Sequence, residues 1–437
     1  MAGKEVRGSN QVLNNYLNLF SGEFFSKALG YFSLIIIVKY VDVSTFGQYS
    51  IFLVLIGLCS LFIEYGLDAA SIYFLAKYKN IKKTVRSNLF IRSILFLSSL
   101  IPIYFLFSFF FDVQFNLIYF GLIVLSNLSS VFSYDYAFRF HEKMQVIAKI
   151  NVYSALIFLI SIFLVLIKVN TLYGVIICYV IAKLSRLILS VYYYHKHIKY
   201  SEEILTKNNF GIVEFVKYAT PIFISSVMIW IYYQSDTLIL EHFRGDKEVA
   251  YYSAAYKFVL LFATIQVLYN QALFPVLSKL SESSIQSTKA FVEKYFNLFY
   301  YITTPLFFII MFFSKWAIFE LYGEQYSESI LIFNLLMFSM VFVFNETVTA
   351  PFMIASGRAK LHMIIVGVGA LINVSLNFLL IPGMGMRGAA FSTIIAEAAI
   401  FSLFAYYTHE FINIKLGFFL KVFITQLLLI VFFYLQL

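Results

Sequence analysis

The sequence predicts an all-α polytopic membrane protein, built from two related six-helix halves followed by one additional C-terminal helix. Three observations predict it. Hydrophobic residues make up 61% of the chain and charged residues only 13%, whereas soluble domains carry about 25% charge to clothe their surfaces. The apolar residues fall in runs of about 20 or more, long enough to cross roughly 30 Å of hydrocarbon as helices. Short stretches six runs apart also resemble each other in register.

Taken in order, the first run is Leu17–Val38, too long for a signal peptide and without a small-residue cleavage site after it, so it reads as a retained helix. Lys39 separates it from Gln48–Tyr73, and the basic stretch from Lys77 to Arg86 precedes Leu89–Phe111. Leu117–Phe138 follows, then Arg139 and Lys143, then Val146–Ile167, then Lys168 and Leu172–Tyr194. The longest inner linker, residues 195–214, divides an N-terminal lobe (1–194) from a C-terminal lobe (215–408). The second lobe holds Phe215–Leu240, Ala250–Pro275, Tyr295–Phe313, Ser329–Ala355, Met363–Ile381 and Gly388–Tyr407. Residues 409–437 add a thirteenth run, Phe418–Leu435.

The net charge of +9 does not point to nucleic acid, because the cations sit in short linkers between apolar runs. With the N-terminus inside, nineteen Lys and Arg fall in inner segments. The outer linkers hold six: Lys39, Lys168, Arg244, Lys247, Lys315 and Arg387. That bias predicts a cytoplasmic N-terminus. Cys59 and Cys178 lie inside apolar runs and read as small hydrophobes, so neither a disulfide nor a metal site is expected, and no cofactor.

Phe46-Gly47-Gln48-Tyr49-Ser50 matches Val249-Ala250-Tyr251-Tyr252-Ser253, and Tyr173-Gly174 through Lys183 aligns without gaps with Arg387-Gly388 through Glu397. Each match pairs span n with span n+6. An even shift preserves orientation, so the repeat is parallel, with its axis along the membrane normal.

Set in this order, the motifs resemble those of polysaccharide exporters of the multidrug/oligosaccharidyl-lipid/polysaccharide (MOP) superfamily, specifically Wzx-type O-antigen flippases. The N-terminal set is Lys27-Ala28-Leu29-Gly30, Phe46 to Ser50 and Gly66-Leu67. The central set is Tyr218-Ala219-Thr220-Pro221, Ser235-Asp236, Tyr251 to Lys257 and Phe274-Pro275. The C-terminal set is Asn373-Val374-Ser375-Leu376-Asn377, Ile381-Pro382-Gly383 and Gly388-Ala389-Ala390. The resemblance implies two MATE-like lobes around a central cavity, alternating access, and a cargo of undecaprenyl-pyrophosphate-linked oligosaccharide, an O-antigen or capsule repeat unit, moved across the bacterial inner membrane. It also implies partnership with the polymerase and chain-length proteins of lipopolysaccharide synthesis. The thirteenth helix departs from relatives with twelve or fourteen spans.

Ionisable residues inside a membrane helix cost on the order of 2.5–3.5 kcal/mol, so they face partners or a path for cargo. Lys183 lies roughly 16 Å deep, near the midplane, and Glu397 occupies the matching repeat position. Opposite charges at equivalent sites fit either a cargo site or a structural pair. Lys27, Lys183, Arg186 and Lys257 are the candidate cations for a pyrophosphate. Each has a structural alternative: Glu23 one turn from Lys27, snorkelling for Arg186, and Asp236 as a neighbour for Lys257. Arg92, near an inner helix end, is expected to snorkel. Glu64, Asp68, Asp236, Glu346 and Glu397 are candidates for ion coupling or charge pairing. Asp135 and Arg139 are expected to pair at i,i+4. Pro221, Pro275, Pro305 and Pro351 mark kinks or gating bends. Tyr192, Tyr193 and Tyr194 are expected to anchor at the interface.

Two competing functions stay open. A cation-coupled multidrug exporter shares the superfamily, though several intramembrane cations disfavour cationic drugs. A polysaccharide polymerase or ligase needs a large outer loop, and the longest outer linker, Ser314 to Glu328, is short. No H-E-x-x-H, P-loop or G-x-S-x-G motif is present, so the expectation is a transporter and not an enzyme.

Overall fold

The structure, a computed structural model, describes residues 2–110, 116–166, 171–198 and 210–434. Lys168, Lys199 and Lys207, and most of the 195–214 linker, lie outside these residues. Packing divides the chain into two compact units, Met1–Trp230 and Ile231–Leu437.

The first unit contains α1 (Ala2–Tyr40), α2 (Val43–Glu64), α3 (Leu67–Tyr78), α4 (Ile81–Phe110), α5 (Asn116–Val131), α6 (Asp135–Phe140), α7 (Met144–Leu166) and α8 (Leu172–His197), and the start of α9 (Ile212–Arg244). The second holds the end of α9, then α10 (Asp246–Ser283), α11 (Ile285–Phe312), α12 (Ser314–Tyr322), α13 (Glu328–Ala355), α14 (Ala359–Met384), α15 (Met386–Ile412) and α16 (Gly417–Tyr434). The described residues are almost wholly helical and contain no strand. This follows from the solvent: in hydrocarbon every backbone N–H and C=O must find its partner within the segment.

Among the described residues, eleven helical stretches are long and apolar enough to cross a membrane. The more polar α10 occupies the place of the eighth expected span, and α16 that of the thirteenth. Two expected spans are broken. The second bends where Tyr65 (φ 43°) and Gly66 (φ 70°) both adopt the left-handed conformation between α2 and α3. A Cβ on Gly66 would lie 2.8 Å from the Ala219 carbonyl oxygen, so close approach to α9 selects glycine there. The fourth span ends at Val131 and resumes as the short α6. The outer segment read as a plain linker from Ser314 to Glu328 forms α12 and a 3-10 turn, Glu324–Tyr326.

The two units repeat the same internal packing. In the first, α2 packs on α5, α4 on α5, α5 on α8, α7 on α8, and α2 on α8. In the second the corresponding pairs are α10 on α13, α11 on α13, α13 on α15, α14 on α15, and α10 on α15. These are the helices that a shift of six spans relates, so the repeat read from two short alignments extends to helix packing. Its register holds too. Gly174 and Gly388 are each the third residue of their helix (172 to 174; 386 to 388), and Lys183 and Glu397 each the twelfth.

Helix ends carry ordinary capping chemistry. Asp42 caps α2, accepting from the Thr45 amide at 3.0 Å and its hydroxyl at 2.6 Å. Burial pushes the Asp42 carboxyl up, but these hydrogen bonds outweigh it and hold the group below its ordinary value. At the start of α15, Glu248 accepts from the Met386 amide at 2.7 Å beside Gly385 (φ 58°). Tyr194 does not anchor at an interface as expected: it is buried and stacks on Tyr134 with ring centroids 4.1 Å apart.

Candidate functional site

Each unit gathers intramembrane polar groups, and the two gatherings differ in chemistry. In the first unit the α2–α3 break places Glu64 and Asp68 on either side of Tyr65–Gly66. Asp68 pairs with Arg92 of α4 at 2.5 Å, and the Arg92 guanidinium also donates to the Ser130 and Ser133 carbonyls at 2.9 and 3.1 Å. Arg92 is completely enclosed. It therefore does not snorkel; it fastens α3 to the frayed end of α5, whose last carbonyls have no helical partners. Asp135 of α6 pairs with Arg186 of α8 at 2.7 Å rather than with Arg139 one turn away, and Arg186 also donates to the Asn151 side chain of α7. Arg186 is thus committed to the protein on two sides.

Lys183, one turn before Arg186, sits with its ammonium 5.4 Å from the centre of the Tyr179 ring and within electrostatic reach of Glu64. It makes no ion pair among the described residues. Lys27 lies on the exposed side of α1, near the point where Gly22 lets that helix approach Ala148 of α7. The cluster thus holds three cations, Arg92, Lys183 and Arg186, against three acids, Glu64, Asp68 and Asp135, with Arg139 exposed at the end of α6.

Aromatic rings line the neighbouring contact between α2–α3 and the first half of α9. Tyr65 stacks on Phe223 and Tyr73 on Tyr218, both with centroids 4.3 Å apart. The Tyr65 and Thr220 hydroxyls lie 3.3 Å apart. The central Tyr218 to Pro221 motif is therefore explained by its fit to the broken second span.

In the second unit the acids find neutral partners. Asp236 of α9 accepts from the hydroxyl of Tyr252 (α10) at 2.5 Å, the hydroxyl of Thr393 (α15) at 3.2 Å, and the amide of Asn377 (α14). Asn377 donates as well to Asn373, one turn earlier, at 3.1 Å. Asp236 does not pair with Lys257, which has no ion-pair partner among the described residues. Glu397 of α15 accepts from the Tyr232 hydroxyl of α9. Glu346 of α13 is buried within electrostatic reach of Glu397, and its Oε1 has no hydrogen-bond partner among the described residues.

Among the site residues that sequence reasoning missed, Arg92 had been assigned to an interface. Tyr232 carried no signal beyond its composition. Asn373, Asn377, Tyr252 and Thr393 are different: the first three belong to the quoted motifs, and the i,i+4 spacing of the two asparagines places both amides on one helix face. The described residues hold no group of three or more His, Cys, Asp or Glu placed to bind a metal ion.

Residues 12–281 match the model of the polysaccharide biosynthesis protein family, more than half of the chain. The chain belongs to that family. Residues 221–379 also match the MatE family model. An uncharacterized membrane protein of Methanocaldococcus jannaschii, MJ1068, is 25% identical over 275 residues, 61% of this chain and 54% of the relative. The chain thus matches only about half the length of that curated relative. Among solved structures, lipid II flippase MurJ in an inward closed conformation superposes with a TM-score of 0.72 at 19% identity, covering 96% of this chain and 92% of MurJ. An inward-facing multidrug resistance MATE family transporter gives 0.69 at 11% identity over 89% and 94% of the two chains. A MOP superfamily transporter from Pyrococcus furiosus, described as having a binding pocket of reverse polarity, gives 0.60 at 13% identity over 92% and 95%. At these identities the likeness establishes the fold. The chain is thus a multi-pass membrane protein of the polysaccharide biosynthesis protein family.

Proposed function

We propose that this family member flips undecaprenyl-pyrophosphate-linked oligosaccharide from the cytoplasmic to the periplasmic leaflet of a bacterial inner membrane by alternating access, with its N-terminus in the cytoplasm. The observation that carries this reading is Lys183, the cation of the first unit's intramembrane cluster that holds no ion pair among the described residues. Arg92 and Arg186 are neutralised by Asp68 and Asp135; Lys183 is left with an aromatic ring and Glu64. A diphosphate brings two or more negative charges that need shielded cationic donors. Lys183 is the first contact, Arg186 and Lys27 its supports in that unit, and Lys257 the cation of the second unit. The polymerase and chain-length proteins of an O-antigen or capsule pathway would receive the product, and no covalent step is required of the transporter.

Ion coupling falls to the carboxylates that lack cation partners. Glu64 and Asp68 sit among the first unit's cations and serve charge pairing. Asp236, Glu346 and Glu397 sit among neutral donors and are the coupling candidates.

In a strain lacking the gene, Lys183→Ala should reach normal membrane abundance yet fail to restore surface polysaccharide; full restoration would remove Lys183 from the site. The second reading, a cation-coupled multidrug exporter, is favoured by the acid-rich second unit and the MatE match. It predicts drug efflux that is indifferent to depletion of the lipid carrier, an outcome that would displace the flippase reading.

A further inference from the structure

The second unit buries two carboxylates on helices that pack directly against each other, Glu346 on α13 and Glu397 on α15. Glu346 is 6% exposed and Glu397 8%. Glu397 accepts the Tyr232 hydroxyl, whereas Glu346 Oε1 has nothing to receive among the described residues. The titratable groups that face the pair are phenols: Tyr232 and Tyr233 of α9 and Tyr256 of α10. Lys257 follows Tyr256 but engages neither acid among the described residues. None of the described titratable groups of α11, α14 or α16 acts on either carboxyl.

Two anions in this setting would repel through a medium of low dielectric, with no cation paired to either among the described residues. Asp236 provides the contrast: its carboxylate accepts from donors on three helices, Tyr252, Asn377 and Thr393. Among the described residues the pair receives one phenol hydroxyl, from Tyr232 to Glu397, and Glu346 Oε1 receives no donor. One added proton resolves the mismatch. On Glu346 it removes the charge at the carboxyl whose Oε1 has no donor among the described residues, and leaves Glu397 ionised against Tyr232.

We propose that Glu346 and Glu397 together form a single proton-binding site, exchanging one proton as a unit during the transport cycle. The proton comes from water and returns to it, and no bond other than O–H is made or broken. This inference rests on the transporter reading of the chain but not on its cargo.

The test needs no cargo. Proton binding by the purified full-length protein in lipid nanodiscs is titrated for wild type, Glu346→Gln, Glu397→Gln and the double variant, and the double variant's curve is subtracted from the others. A shared site predicts that the two single-variant curves do not sum to the wild-type curve, each step being displaced by about one pH unit or more. Tyr232→Phe, which keeps both acids and the ring, should also displace the wild-type curve. Additive single-variant curves, or a wild-type curve identical to the double variant's, would overturn the proposal. Oligosaccharide flipping in cells that is unaffected by deletion of the gene, with the titration intact, would overturn the cargo assignment alone.

Discussion

At the residue scale, the decisive quantity is how each intramembrane charge is balanced. Arg92 shows the structural solution: complete burial, one carboxylate and two carbonyls. Removing one member of such a pair leaves an uncompensated buried charge, at a cost of about 3–5 kcal/mol. Arg92→Ala should therefore lower the melting temperature and the membrane abundance sharply, and a variant as stable as wild type would contradict the assignment. Lys183→Ala removes a cation that holds no ion pair, so its expected defect is in transport with thermal stability preserved. The sequence revealed which residues are charged and roughly how deep they lie, because depth follows helix rise. It did not reveal partners. Asp135 chooses Arg186 over Arg139 because three helices meet at that point, and a spacing rule confined to one helix cannot see the other two.

At the element scale, the broken second span and the final helix carry the tests. Gly66 combines a left-handed backbone with a 2.8 Å approach to the Ala219 oxygen. Gly66→Ala should cost roughly 1–3 kcal/mol of stability, read as a fall in melting temperature in detergent; an unchanged value would mean that the break is not fixed by this contact. The apolar run that predicted one continuous span was sound about length but blind to this bend, since hydropathy averages over a turn that only a neighbouring helix demands. The last helix has its own clasp. Lys421 lies 4.4–5.2 Å from the ring centres of Phe418, Phe296, Tyr300 and Tyr301, and donates to the Asn297 side chain of α11. Cation–π contacts contribute about 0.5–2 kcal/mol each. Lys421→Ala should loosen α16 from α11, seen as faster hydrogen exchange in α16; unchanged exchange would deny the clasp. The Asp42 cap adds a pH effect of known sign. Its carboxyl is held below its ordinary value when folded, so its contribution to stability is present above the unfolded value and fades as pH falls through the folded one.

At the scale of the whole molecule, the sequence was most legible where physics leaves few choices. A chain this apolar must be helical in lipid, and a shift of six spans must preserve orientation. The helicity reappears in the structure, and the repeat in the packing inside each unit, where α4–α5 corresponds to α11–α13 and α7–α8 to α14–α15. The two units share a scaffold but divide the chemistry, with cations and acids interleaved in the first and acids among phenols and amides in the second. That division was not legible. It depends on Tyr232, Tyr252, Asn377 and Thr393, uncharged residues that only the fold brings to the acids. Whether a lipid-linked oligosaccharide is the cargo is decided by measuring where that lipid resides when the gene is deleted. The expected result is accumulation in the inner leaflet, relieved by the wild-type gene and not by Lys183→Ala. An unchanged distribution, with drug efflux lost instead, would contradict it.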